Sequence, residues 1–374
     1  MSDLRTPLCD LLGIEIPILQ AGMGRGRGST TTVPMVAGVS EAGGLGCLGA
    51  TGMEPEEIRA AIREIRELTS KPFGVDLLLP ARLAEADLPR EQVRRKIRRD
   101  HPEHWRFMLS LYERFGLDPE QEHDQEWALS PSLMRRQFEV VVEERVPVFA
   151  SGLGLPDWVG PLAREAGTTV LGLCGSPRQA ERLKDAGADV VIAQGYEAGG
   201  HTGTIATLAL VPQVVDRVSP TPVVAAGGIA DGRGVAAALA LGAQGVWCGT
   251  AFLFSHEVNL VQEQRDQLIA AETRQLVTGR SYTGKPSRVI DNEVTVAWRE
   301  SGLVPLEMPH QTVLMDDFTH AAEVGGHPTL IQNPAGQIAG LLHEYESASS
   351  IAVRLAAEAV DVIHGLQTSV AARA

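Results

Sequence analysis

The sequence predicts an α/β protein built as a closed (β/α)8 barrel, the TIM barrel, with a helical insertion and a C-terminal helical cover. Three observations lead to this fold. Short apolar runs alternate with amphipathic segments from Ile16 to beyond residue 250, the rhythm of a parallel sheet wrapped by helices. Runs such as Pro222-Val-Val-Ala-Ala226 and Asp189-Val-Val-Ile-Ala193 are apolar throughout, as strands buried on both faces should be. Eight such runs occur, enough to close a barrel. The alternative, an open doubly wound sheet, calls for a dinucleotide fingerprint after the first strand.

In chain order, strands are expected near 16–21, 45–50, 72–79, 147–151, 168–173, 189–194, 222–226 and 245–249. Helical patterns lie between them at Pro55–Leu68, Pro177–Ala186 and Gly232–Leu241. The glycine stretch Gly22-Met23-Gly24-Arg25-Gly26-Arg27-Gly28 follows the first strand. No acidic residue ends a clearly marked second strand, so the dinucleotide reading is rejected. These glycines then serve either a tight turn or a close backbone approach to a ring.

The barrel occupies residues 1–79 and 132–255, and 80–131 interrupts it as a helical insertion. That insertion carries Arg90, Arg94, Arg95, Lys96, Arg98 and Arg99, then Trp105, Phe107, Tyr112 and Phe115. A basic run of this kind is read as a solvated helix face, with recruitment of an anionic substrate tail as the alternative. The aromatics are expected on the barrel rim or against a second subunit, which makes a homo-oligomer one expected assembly. Residues 256–374 form a cover ending in Ile351–Val362, whose apolar stripe has helical spacing.

Composition narrows the partners. At 374 residues, with 44% hydrophobic and 21% charged positions and 39 glycines, the chain reads as a soluble globular protein. A formal net charge of −14 argues against nucleic acid or an anionic membrane surface, since both need clustered positive potential. A small-molecule substrate is expected instead. Cys9, Cys47, Cys174 and Cys248 lie far apart with no Cys-x-x-Cys spacing, so neither a metal site nor a disulfide framework is expected. With no secretion signal and no apolar run of membrane-spanning length, a cytoplasmic location follows.

Chemistry is expected on the loops at the carboxyl ends of the strands. Residues 193–203 read Ala-Gln-Gly-Tyr-Glu-Ala-Gly-Gly-His-Thr-Gly. Glycines 195, 199, 200 and 203 let backbone approach a flat ligand closely, and His201 sits among them. A flexible loop with an incidental histidine is the bland alternative. The loops after strands seven and eight weigh against it. Ala225-Ala226-Gly227-Gly228-Ile229-Ala230-Asp231-Gly232 and Gly249-Thr250-Ala251-Phe252 occupy the places where backbone N–H groups and a helix N-terminus bind phosphate in such barrels. A ligand phosphorylated there, with a ring reaching the loops after strands one, three and six, has the reach of flavin mononucleotide, FMN.

Pro17–Met23, Phe73-Gly74-Val75-Asp76, Ala193–Gly203, Ala225–Asp231, Gly249–Ala251, Thr283–Asn292 with Arg288 and Asn292, and Ala335–Leu341 together resemble the nitronate monooxygenase family. The resemblance covers most of the chain outside 80–131. It implies an FMN-dependent oxidoreductase in which Gly22 and Met23 lie beside the isoalloxazine ring. Gln194, Gly195, Ala198 and Gly199 would line its other contacts, Gly227, Gly228, Gly249 and Thr250 would hold the phosphate, and His201 would be catalytic. Two departures stand out. Asp76 replaces the asparagine of many members, exchanging an amide donor for a carboxylate near the ring, and Leu173-Cys174-Gly175 lacks the lysine of some relatives.

The reaction implied is oxidation of an alkyl nitronate by dioxygen to a carbonyl compound and nitrite. His201 would position the nitro group or remove the α-proton of a neutral nitroalkane, with Glu197 either orienting the imidazole or exposed and silent. One alternative is a flavin reductase driven by NAD(P)H, acting on quinones or enoyl thioesters. Another is a flavin-binding sensor without turnover. A barrel dehydrogenase using a catalytic cysteine is excluded, because no cysteine lies between Cys174 and Cys248 to serve the loop after strand six.

Overall fold

The computed structural model describes residues 4–24, 26–80, 88–123 and 130–371. Eight parallel strands form the barrel: Ile18–Gln20, Gly46–Gly49, Phe73–Leu78, Val148–Gly152, Thr169–Cys174, Val190–Gln194, Val223–Ala226 and Gly245–Cys248. Each pairs with its sequence neighbour in the barrel, the last pairs with the first, and a parallel bridge from Leu19 to Leu45 joins the first to the second. The doubly wound alternative is thereby excluded.

Side-chain alternation explains why these runs are apolar throughout. Leu19, Cys47, Ala150, Leu171, Ile192, Ala226 and Trp247 fill the barrel interior, joined by Leu8, Cys9 and Leu12 of the short helix Pro7–Leu12. Ile18, Leu48, Phe149, Val170, Val191, Ala225 and Val246 point outward and meet the surrounding helices. Each strand therefore buries both faces, and polar positions are left for the loops. The four cysteines are free and buried.

The cover contributes two strands as well as helices. Leu276–Gly279 and Ser287–Ile290 form an antiparallel hairpin, and the two-residue strand Gly200–His201 adds to it. The closing helix Ala348–Ala371 buries Ile351, Ala352, Leu355, Ala356 and Ala359 against the barrel's helical layer. Its Glu358 accepts a hydrogen bond from the Gly232 N–H at 2.9 Å.

Residues 90–115 form the helices Arg90–Asp100 and Pro102–Phe115; 81–87 and 124–129 of the insertion lie outside the described residues. Val93, Ile97, Met108, Leu111 and Tyr112 share a second core with Trp298, Val313, Leu314 and Phe318 of the cover. The basic run is only partly a solvated face. Arg95 and Arg99 are exposed, but Arg90 and Arg94 are buried. Arg94 makes a bidentate pair with Asp317 at 2.7 and 2.8 Å, and Arg90 bonds Asp316 at 2.9 Å. Arg90, Val93, Arg94 and Ile97 recur at helical spacing and turn inward together, so these two guanidiniums tie the insertion to the cover rather than await an anionic tail. No helix among the described residues is long and apolar enough to cross a membrane.

Candidate active site

The glycine loop after strand six is held rigidly. His201 pairs with Ser287 and Gly200 with Arg288 across the small sheet, and the Gln194 side chain donates to the His201 carbonyl at 2.5 Å. The His201 ring donates from Nδ1 to the Pro286 carbonyl at 3.3 Å, a tautomer that leaves a lone pair on Nε2. Burial lowers the pKa of this imidazole below its usual range, opposed by the Pro286 bond, so the ring is neutral at physiological pH. The bland reading of a flexible loop therefore gives way to a strand-anchored, neutral histidine.

Arg288 organises the same loop from beneath. It is almost wholly buried and donates to the carbonyls of Ala198 at 3.2 Å, Tyr196 at 2.9 Å and Leu276 at 2.7 Å. Its guanidinium lies 4.4 Å from the centre of the Tyr196 ring, within cation–π range. Glu197 does not orient the imidazole. Its carboxylate accepts from the N–H and the hydroxyl of Thr207, both at 2.9 Å, and so closes the start of the helix Thr207–Val218.

A cavity of about 810 Å³ opens at this end of the barrel. Its lining includes all but one of the residues predicted for the site: Gly22, Met23, Asp76, Gln194, Ala198, Gly199, His201, Gly227, Gly228, Gly249 and Thr250. The exception is Gly195, which does not line the cavity and packs against Thr207. A Cβ at position 195 would stand 2.5 Å from the Thr207 nitrogen and 2.6 Å from its Cα. Gly195→Ala is therefore expected to cost about 2 kcal/mol through forced backbone movement, read as a lower thermal midpoint.

The floor of the cavity is shaped by absent side chains. A Cβ at Gly22 would collide with the Asp76 Cβ, and one at Gly199 would lie 2.6 Å from the Ala335 carbonyl carbon. Gly227 and Gly228 have φ of +92° and +77°, the left-handed region that glycine alone enters without strain. Asp76 is buried, its Oδ1 has no hydrogen-bond partner, and burial pushes its carboxyl well above the usual range. Burial thus favours its protonated form.

The predicted phosphate loops differ from expectation in one respect. The helix after strand seven, Gly232–Ala240, already has its N-terminus closed: Asp231 accepts from the Arg233 N–H and Glu358 from that of Gly232, both at 2.9 Å. The first N–H groups of that helix are therefore already engaged. The Gly227–Gly228 turn and the short helix Thr250–Leu253 that follows Gly249 remain, the latter matching the extra helix at such sites. Thr250 Oγ1 accepts from the Gly336 N–H at 2.8 Å, which leaves its own hydrogen free to donate. His123, Thr312, Thr319 and His320 also line the cavity and were not anticipated.

The nitronate monooxygenase family model matches residues 5–358. A putative monooxygenase of Mycobacterium tuberculosis is 38% identical over 383 aligned positions, covering 97% of this chain and 99% of that protein. A probable nitronate monooxygenase of Staphylococcus haemolyticus is 34% identical, covering 86% and 87%. Among solved structures, a nitroalkane oxidase from Streptomyces ansochromogenes superimposes with a TM-score of 0.78 at 30% identity, covering 96% of this chain and 99% of that one. FabK from Thermotoga maritima gives 0.75 at 31% identity, covering 98% and 99%. With a family match over nearly the whole chain and these relatives at this coverage, the chain belongs to the nitronate monooxygenase family.

Proposed function

We propose that this chain oxidises alkyl nitronates, or the nitroalkanes from which they form, to carbonyl compounds and nitrite at an FMN held across the barrel mouth. One observation carries the reading: a single cavity brings together a glycine floor, an unpartnered buried carboxyl and a neutral imidazole. The residues fit the cofactor. The space that Cβ atoms at 22 and 199 would need is already taken by neighbouring atoms, so these glycines keep the floor compact. The two positive-φ glycines at 227 and 228 suit backbone recognition of a phosphoryl group.

When bound, FMN supplies the redox chemistry, taking electrons from the substrate and passing them to dioxygen. The chain's own residues do the rest. Gly227, Gly228, Gly249 and Thr250 hold the phosphoryl end, while Gly22, Met23, Gln194, Ala198 and Gly199 border the ring. His201 accepts the α-proton of a nitroalkane at Nε2, or donates from it to a nitro oxygen once protonated. Asp76, whose burial favours the protonated form, would then offer a hydroxyl donor where many members of the family offer an amide. Four buried, unpaired cysteines support a cytoplasmic setting. An oxygen electrode tests the reaction: ethyl nitronate should drive oxygen uptake with matching nitrite release, and no uptake above the buffer rate would defeat the reading.

The raised pKa of the Asp76 carboxyl makes a separate prediction. The folded protein keeps a proton that the unfolded chain releases above about 3.9. The corresponding stability is complete below that pH and is lost as pH rises toward the raised folded value. Asp76→Asn is expected to remove this slope and to gain about 1 kcal/mol over the wild type at neutral pH. Thermal unfolding of both proteins without flavin, from about pH 4 to about pH 8, measures it. An unchanged slope in the variant would assign the loss to another group.

A further inference from the structure

Two histidines and a carboxylate meet outside the cavity, at a place where the chemistry above gives them no task. His101, Glu103 and His104 each bring one ligand atom, and these atoms all lie within 4.8 Å of one another. The cysteines, whose spacing offers no metal site, take no part. The local sequence explains the meeting. His101 ends the helix Arg90–Asp100, its N–H donating to the Ile97 carbonyl at 2.9 Å, and stands at the head of the helix Pro102–Phe115. Pro102 at the first helical position is preset for that turn. His101 and His104 then lie three residues apart across it, ring edge to face with centroids 5.7 Å apart.

His104 is buried and only half satisfied. Its Nε2 lies 2.9 Å from the Val304 carbonyl, a contact that only an N–H can make. In the neutral ring Nδ1 then carries a bare lone pair, and it faces Glu103 Oε1 at 3.2 Å. Two acceptors so close need a cation between them, either a second proton on the ring or a metal ion. A proton joins that pair alone, whereas a metal ion also engages His101. The 3.2 Å separation is close to the edge of roughly 3.3 Å that a tetrahedron of zinc–nitrogen and zinc–oxygen bonds requires. His101 is half-buried and Glu103 exposed, so both have room to draw in. The bond from Nε2 to a backbone carbonyl is the one that fixes the ring of a metal-bound histidine. The Glu103 carboxyl is held below its ordinary range, first by its own backbone N–H and then by the His104 and His101 rings, which suits an anionic ligand.

We propose that His101, Glu103 and His104 bind one divalent transition-metal ion, zinc above all, with the remaining coordination position open to water. Two imidazoles in a set of three select against calcium and magnesium, which take oxygen ligands. The ion pins the elbow between the two helices of the insertion and, through Val304, secures it to the cover. None of the three ligands lines the cavity, whose wall includes the polar stripe from Thr312 to Glu323 of the helix His310–Val324. The site is structural and stands apart from the proposed reaction.

Calorimetry on the untagged protein, stripped with a chelator and then titrated with zinc chloride or magnesium chloride, tests the site. One zinc per chain is expected in the tightest step, with a higher thermal midpoint, and no matching step with magnesium. Glu103→Gln and His101→Gln, at positions open enough to spare the fold, should each weaken that step by at least about tenfold and lose the rise in midpoint. A stripped wild type that takes up no zinc would leave the proton as the cation at His104 and overturn the proposal. Zinc bound equally well by both variants, or matched by magnesium, would overturn it too. Circular dichroism identifies a variant that misfolds, and the other then carries the test. Because binding is read without turnover, failure here leaves the proposed reaction untouched.

Discussion

Replacing Arg288 by methionine is expected to cost about 4 kcal/mol of stability and to strip the protein of flavin. The guanidinium is almost wholly buried and satisfies the carbonyls of Ala198, Tyr196 and Leu276 at once. Hydrogen bonds to a charged group contribute roughly 1.5–3 kcal/mol each, and methionine leaves all three acceptors unsatisfied while recovering only the packing of the stem. No carboxylate pairs with Arg288 among the described residues, so its removal exposes no opposing charge, and the loss stays below that of a broken triple bond set. Two of the three carbonyls belong to the loop that carries His201. Arg288→Lys keeps the charge but gives up the planar fork, and should fall between. Chemical denaturation, with flavin retention after desalting, measures both effects. A methionine variant within about 1 kcal/mol of wild type would show that the loop is held by its backbone pairing alone.

His201→Ala is expected to lower kcat/KM for a neutral nitroalkane by about 10²–10⁴, the usual worth of a positioned proton acceptor. The same variant should lose much less with a preformed nitronate, which has no α-proton left to remove. Flavin should remain bound, because the pairing of His201 with Ser287 runs through the backbone and survives truncation of the ring. The pH profile follows from the lowered pKa of the imidazole. The base form prevails across neutral pH, so the wild-type rate with a neutral nitroalkane should be flat there and decline only on acidification beneath the usual imidazole range. Equal losses on nitroalkane and nitronate would instead make His201 a binding group for the nitro oxygens.

The barrel was readable because parallel strands buried on both faces leave uninterrupted apolar runs, and the observed strands fall within a residue or two of the expected ones. Most of the candidate site followed, since glycines at strand ends mark close backbone approach. What stayed hidden depends on contacts distant in sequence. Gly200–His201 is too short to show any periodicity, and its partner Ser287–Ile290 lies in the cover. Glu197 looked available to the imidazole until Thr207 claimed it. Arg288 gave no sign of burial, because arginine is ordinarily a surface residue. Arg90 and Arg94 sat in a charge run, yet their helical spacing with Val93 and Ile97 was a signal that two of them point inward. The polar stripe from Thr312 to Glu323 has the same spacing and could have been found in the same way.

The proposed reaction requires an imidazole and a flavin ring to share one cavity with a nitronate. The most direct measurement is anaerobic mixing of the FMN-loaded protein with ethyl nitronate, and separately with NADH and NADPH, while the flavin absorbance is followed. Bleaching by the nitronate alone is the predicted result. Bleaching by a nicotinamide, with the nitronate inert, would contradict it and make the chain a reductase of quinones or enoyl thioesters.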